Sequence, residues 1–491
     1  MMKKLCLFST GLLLLFSGCS KFLDTSPDMR TELDSPTKIA ELLTSAYPRG
    51  NYIPFIEAAS DNADDKGLSL GSGDPLNQNP WKFEDVEARD QDSPTYYWYA
   101  AYKAIGAANH ALKAIEKLNI PDQTNSLKGE ALVARAYAHH MLAIIFAPNY
   151  EPETANELPG IPYVTEPETE VVKKYERKSI KYVYEMIEKD LVEGIPLLDN
   201  NRYKVQKFHF TTSAAHAFAT RFYLFKKDFH KAAEHADLAL GENLDSYVRP
   251  VNSTDFRFKE YFEKERYYSD SSTPTNLLLV EAPSIWGRNL IQNRYGLTSP
   301  LLAELFHRPN VASAIYGYTI FGGNESYIHI PKFREHFVKA SINASYGIPH
   351  NMIPLLTADE LLLNRAEAFA RIKKFDRAIM DLNVFIKHKV AYNLNVPFFI
   401  ASVHTINSTR INLFYGSQDL ESNIVKAAID FRRREFIFEG LRWFDILRHK
   451  LPVTHISRDK KEKYFLGINS PRRVFQLPDE VIMSGIEPNP R

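Results

Sequence analysis

The tightest constraint on the fold is a repeat. The stretches AAHAFATRFYLFKKDFHKAAEHADLAL (214–240) and ELLLNRAEAFARIKKFDRAIMDLNVFI (360–386) align at a Lys-Lys pair. Each predicts a helix, a turn at Lys226-Lys227 or Lys373-Lys374, and a second helix opening Phe-x-x-Ala, so that Phe229 and Ala232 correspond to Phe375 and Ala378. Small residues such as Ala219 and Ala366 lie on the preceding helices. Self-similarity of this kind signals stacked helical hairpins that bury their apolar faces against neighbours.

The two units resemble the tetratricopeptide hairpin, in which small side chains permit close crossing and a large one fills the gap. They stand too far apart for a tandem array, so the hairpins are expected to be interleaved with insertions. Other segments carry the same period. Ile180, Val183, Tyr184, Ile187 and Leu191 form one apolar stripe, and alanine-rich helices are expected over 97–118 and 127–147, punctuated by Pro121 and Pro148. Residues 60–95 and 245–330 read as polar loops, and NLLLVEAPSIW (276–286) as a source of short hairpins. The expected fold is mostly α, with helical hairpins as scaffold, long irregular loops and a few short strands.

The first eighteen residues read as a leader. Lys3 and Lys4 precede an apolar run from Leu5 to Phe16, and Phe16-Ser17-Gly18-Cys19 closes it. The run is shorter than the roughly 20 apolar residues of a membrane span. The arrangement resembles a bacterial lipoprotein signal, cleaved before a cysteine that then carries acyl chains. Of two cysteines, Cys6 lies inside the leader, which leaves Cys19 as the lipidation site and excludes an intramolecular disulfide or a cysteine zinc site. The 60 basic and 60 acidic residues balance, so no global attraction to nucleic acid exists. The 26 Tyr, 31 Phe and 4 Trp form a large aromatic complement that suits flat, partly apolar ligands.

The order of the pieces resembles the SusD/RagB family of outer-membrane nutrient-binding lipoproteins. CSKFLDTSP (19–27), AYKAIGAANHAL, GEALVARAYAHHML, SIKYVYEMIEKDL, the hairpin at 214–240 and DELLLNRAEAFARI (359–372) are collinear with it. The most specific match is Phe438-Glu439-Gly440-Leu441-Arg442-Trp443-Phe444-Asp445 after an Arg-rich helix. The chain departs from the family at Ser20-Lys21, where acidic residues are usual, and near 301–310, where an Asp-x-Arg is missing. The resemblance implies a SusD-like fold divided as 1–18 leader, 19–240 N-terminal region, 241–330 loop-rich insertion and 331–491 C-terminal region, with 19–491 one globular unit. It further implies a lipid-anchored protein on the outer membrane, facing the cell exterior. Such a protein captures an oligosaccharide, or in some members a peptide, and passes it to a SusC-like TonB-dependent transporter.

The residues themselves give little sign of an enzyme. No Gly-rich phosphate loop, His-Glu-x-x-His or Gly-x-Ser-x-Gly is present, and no cofactor or metal is expected. His139 and His140 point about 100° apart on a helix and suit core or surface better than metal binding. DNADD (61–65) misses calcium-loop spacing. Gly440 is expected to interrupt a helix so that Phe436, Phe438, Trp443 and Phe444 turn inward, with Glu439–Arg442 and Asp445–Arg448 pairing. Trp98 and Trp443 read as core. Trp81 and Trp286 read as loop residues beside amides, Asn77, Gln78 and Asn79 before the first, Asn289, Gln292, Asn293 and Tyr295 after the second. Rings beside amides suit a sugar, so Trp81, Asn79, Trp286, Asn293 and Tyr295 are the ligand-binding candidates. Two other readings stay open, a tetratricopeptide scaffold without a small ligand if those rings are buried, and a surface hydrolase if two carboxylates line a pocket.

Overall fold

Small side chains set how closely the N-terminal helices approach one another. The computed structural model describes residues 32–168, 174–241, 243–339 and 341–491, so the leader and Cys19 lie outside the described residues. Pro94–Leu118 and Pro121–Phe146 form the first hairpin. Ser93 caps the first helix by accepting the Tyr96 N–H, and Asn119, left-handed at φ 49°, ends it. Pro121 opens the second helix, where its missing N–H leaves no bond unmade. The helix Ile180–Gly194 crosses the second at paired glycines. A Cβ on Gly129 would stand 2.8 Å from the Gly194 carbonyl oxygen, and one on Gly194 would stand 2.9 Å from Leu132 Cβ. The expected stripe of Ile180, Val183, Tyr184, Ile187 and Leu191 is buried throughout.

Both repeats form the hairpins expected of them: Thr212–Lys226 with Phe229–Leu240, and Ala358–Arg371 with Phe375–Lys389. Ala219, Ala232, Ala366 and Ala378 are fully buried. The two units lie against each other although remote in sequence. Arg221 of the first donates to Glu360 of the second at 2.8 Å, and Arg365 of the second donates to Asp237 of the first at 3.0 Å. The chain between them therefore loops out and returns. Leu420–Glu435 adds a further helix, with Arg432 donating to Asn364 at 2.6 Å.

The apolar fragment at 276–286 forms a strand, Asn276–Pro283, but no local hairpin. Its partner is Gly347–Thr357, which also pairs antiparallel with Glu335–Lys339. The chain just after the strand is committed to the helix Trp286–Gln292, so no neighbouring segment is free to pair. Three further two-stranded ladders join Asp64–Asp65 to Tyr295–Gly296, Ile315–Tyr316 to Val390–Ala391, and Val453–Ile456 to Lys463–Leu466. The architecture is mostly helical with few, short strands. Its principal core includes residues from Ile39 to Ile486. Among the described residues no helix is long and apolar enough to cross a membrane.

Candidate functional site

The aromatic and charged stretch 433–448 is scaffold. Phe438 and Gly440 both adopt the left-handed region, at φ 70° and 73°, and a Cβ on Gly440 would meet the Ile56 side chain at 2.7 Å. The turn this makes buries Phe436, Phe438, Trp443 and Phe444. Two of its buried N–H groups are taken by Glu57, which accepts from Phe438 at 2.7 Å and Gly440 at 2.9 Å. Burial pushes the Glu57 pKa up to about 7 against the pull of those donors. The expected Asp445–Arg448 pair forms at 2.9 Å. Glu439 and Arg442 do not pair: the turn sends Glu439 to Lys332 at 2.5 Å and Arg442 to Asp61 at 2.7 Å. Burial raises the Asp61 pKa, but Arg442 and Arg433 outweigh it and leave the value at about 2.

The two polar loops of the sequence meet beside this turn. Asp64 and Asp65 pair in register with Gly296 and Tyr295. Asn77 donates to the Tyr295 carbonyl at 3.0 Å and accepts its N–H at 2.9 Å, so one side-chain amide serves both backbone groups of one residue. Asp65 receives Arg294 at 2.7 Å, and Asp61 receives Arg442, which makes 61–65 a structural loop.

The candidate rings lie beneath this junction, a correction to their expected exposure. Trp81 ends the short helix Pro75–Trp81 and is 0% exposed. It is stacked on Tyr295 at 4.2 Å and on His455 at 4.9 Å, with its indole N–H donating to the Ala63 carbonyl. Trp286 opens the helix Trp286–Gln292, is 3% exposed, and donates to the Phe438 carbonyl at 2.9 Å. Tyr295 and Asn293 are buried too, and Asn79 donates to the Asp85 carbonyl. As placed, neither indole offers a face to a ligand, because each pins a loop to the scaffold. Trp98 and Trp443 are core as expected, and His139 and His140 are fully buried. His139 donates from Nδ1 to the Arg135 carbonyl and accepts the Val164 N–H at Nε2. Burial holds its pKa down at about 3, so it is a neutral structural ring.

What the junction presents outward is different. Leu68, Ser69, Ser72, Gln292, Asn324 and Tyr327 are exposed, Tyr327 by 53%. Ser72 and Gln292 are held together by the Ser72 N–H on the Gln292 carbonyl at 2.9 Å. Segment 324–327 is drawn in by Lys66, which donates to the carbonyls of Ile291 and Ser326, and by Arg458, which spans the Lys66 carbonyl and Glu325. Tyr327 is thus a half-exposed ring on a segment tied through Lys66 to the chain next to Gln292. In the sequence it is one of several tyrosines in a long polar stretch, and no periodicity marks it.

Residues 21–224 match the profile of a SusD-like family described as "Starch-binding associating with outer membrane", and residues 307–477 match that of the SusD family. No curated protein matches the chain. Among solved structures, it resembles a SusD superfamily protein from Bacteroides thetaiotaomicron, at 16% identity and TM-score 0.68, covering 93% of this chain and all of that one. A protein described as a putative sugar binding protein from Bacteroides vulgatus gives 20% identity, TM-score 0.69, and coverage of 94% and 99%. A laminarin binding SusD-like protein gives 17%, 0.61, and 92% and 99%. The two profile matches follow one another along the chain and the solved structures share its fold over 92% to 94% of its length: this chain belongs to the SusD/RagB family.

Proposed function

We propose that the chain captures an oligosaccharide at the cell surface and passes it to a SusC-like TonB-dependent transporter, without transforming it. The observation that carries this reading is a half-exposed ring, Tyr327, on a segment that Lys66 ties to the Ile291 carbonyl, next to exposed Gln292 and its partner Ser72, in a member of a family with a laminarin-binding relative. Lipidation at Cys19 places the protein on the outer membrane, facing outward. Among the described residues no helix is long and apolar enough to cross a membrane, so a tethered chain of this kind needs a separate channel for its ligand.

Calorimetry with laminarin and starch oligosaccharides tests the site. Tyr327→Ala is expected to weaken binding at least tenfold, about 1.4 kcal/mol, with an unchanged melting temperature. Trp81→Ala is expected to destabilise the fold by about 3 to 5 kcal/mol, the usual result of losing a buried tryptophan. Normal binding by a folded Tyr327→Ala protein rejects this face. Cys19→Ala is expected to abolish fatty-acid labelling and release the protein from membranes, and persistent labelling would contradict the anchor. The burial of Trp81 and Trp286 favours a second reading, a tetratricopeptide scaffold without a small ligand. Co-purification with a transporter together with failure to bind any glycan would select it.

A further inference from the structure

We propose that a cavity on the N-terminal hairpin, apart from the loop face, binds a flat, mainly apolar small molecule bearing an aryl ring and a hydrogen-bond acceptor. The cavity measures about 670 Å³, within the usual range for a small-molecule site. Its walls are Trp98, Tyr99, Tyr102 and Tyr175, and its aliphatic lining includes Ile105 and Val164.

The floor is Gly106, in the interior of the helix Pro94–Leu118. Gly129 and Gly194 are explained by a close helix crossing, but a Cβ on Gly106 would have no heavy atom within 4 Å. Glycine inside a helix is unfavourable relative to alanine, and here packing does not require it. Its visible effect is to leave the space open.

The walls are polarised in one respect. The Tyr102 hydroxyl donates to the Pro162 carbonyl at 2.8 Å, Tyr175 to Glu168 at 2.5 Å, and Tyr99 to Glu480 at 3.4 Å. Trp98 is 3% exposed, and its indole N–H makes no hydrogen bond among the described residues. That nitrogen is not among the fully buried polar atoms left without a partner, so water reaches it, and an occupant's acceptor can take that water's place. The lining has polar members, Ser45, Lys103, His110, Glu166, Glu168 and Ser484, but it is mainly apolar, so a ligand with hydroxyls on every side would set many of them against carbon. An aryl ring suits the tyrosine-lined walls, and one acceptor can take the Trp98 N–H.

The probe is 1-anilinonaphthalene-8-sulfonate, a fused aryl with acceptor oxygens, titrated against the folded mature protein by fluorescence. Saturable binding at one site is expected. Gly106→Leu should abolish that site, Trp98→Phe should weaken it several-fold, and Gly106→Ala should weaken it while melting no lower than the parent. Absence of saturable binding, or binding that Gly106→Leu leaves intact, overturns the proposal. So does a lowered melting temperature for Gly106→Ala, because packing would then account for the glycine. Tyr327→Ala should leave this binding unchanged, which separates failure of the cavity from failure of the glycan face.

Discussion

Asp92 is 2% exposed and left-handed, at φ 70°. Its Oδ2 accepts the Ile285 N–H at 2.9 Å, while Oδ1 has no partner among the described residues. Burial pushes its pKa from 3.8 up to about 7. The folded chain therefore keeps a proton that the unfolded chain releases near pH 4. This group's contribution to stability is full below about pH 4 and is lost as pH rises to about 7. Asparagine tolerates the same φ and resembles the protonated acid. Asp92→Asn is thus expected to match the parent near pH 4 and to melt higher near pH 8, gaining about 1.4 kcal/mol per pH unit crossed. A difference that does not change with pH would show that the carboxylate is not responsible. At this scale the sequence misled where polarity was read as exposure. Amides flank Trp81 and Trp286, yet Asn77 bonds the backbone of buried Tyr295. A loop folded under a surface needs such groups as much as a ligand does.

The hairpins were legible because they need only local rules, a 3.6-residue period, small crossing residues and a turn. The turn conformation follows the Phe-x-x-Ala register rather than the Lys-Lys pairing, since Lys227 and Lys373, each two residues before Phe229 and Phe375, occupy matching left-handed positions at φ 63° and 60°. Glycine is the usual residue there, and a side chain with a Cβ is strained. Lys227 is held by Glu151, so its replacement would cost an ion pair as well. Lys373 is exposed and makes no ion pair among the described residues. Lys373→Gly is expected to raise stability by roughly 0.5 to 1 kcal/mol, read as a shift of the urea midpoint at constant m-value. A fall in the midpoint would mean that unfolded-chain entropy outweighs the relief of strain. The strand at 276–283 was legible as a strand, whereas its partner at 347–357 was not. Pairing across that distance is fixed by the packed helices on either side of it, and no local pattern records it.

The segments that meet at Glu57 come from opposite ends of the chain. Helix Ile53–Ala59 lies within the first profile match, and the turn at 436–440 lies within the second. Glu57 joins them by accepting two backbone N–H groups, Arg442 reaches back to Asp61, and Trp286 of the middle segment donates to Phe438. The family resemblance pointed to Phe438-Glu439-Gly440 as its most specific stretch, and the geometry supplies the reason, a strained turn whose donors only a remote carboxylate satisfies. Glu57→Ala leaves both N–H groups buried without acceptors and opens a void. It is expected to cost about 3 kcal/mol or more, the sum of two unmet donors at 1 to 3 kcal/mol each. Glu57→Gln keeps one acceptor and turns a donor toward the other N–H, so its loss should be intermediate. Because the clamp ties both matched regions to one core, urea denaturation followed by tryptophan emission and by far-ultraviolet circular dichroism should give one coincident transition. That transition should move as a whole in both variants. Two separable transitions, with only one displaced by Glu57→Ala, would show that the regions fold independently and that the turn stabilises one of them alone.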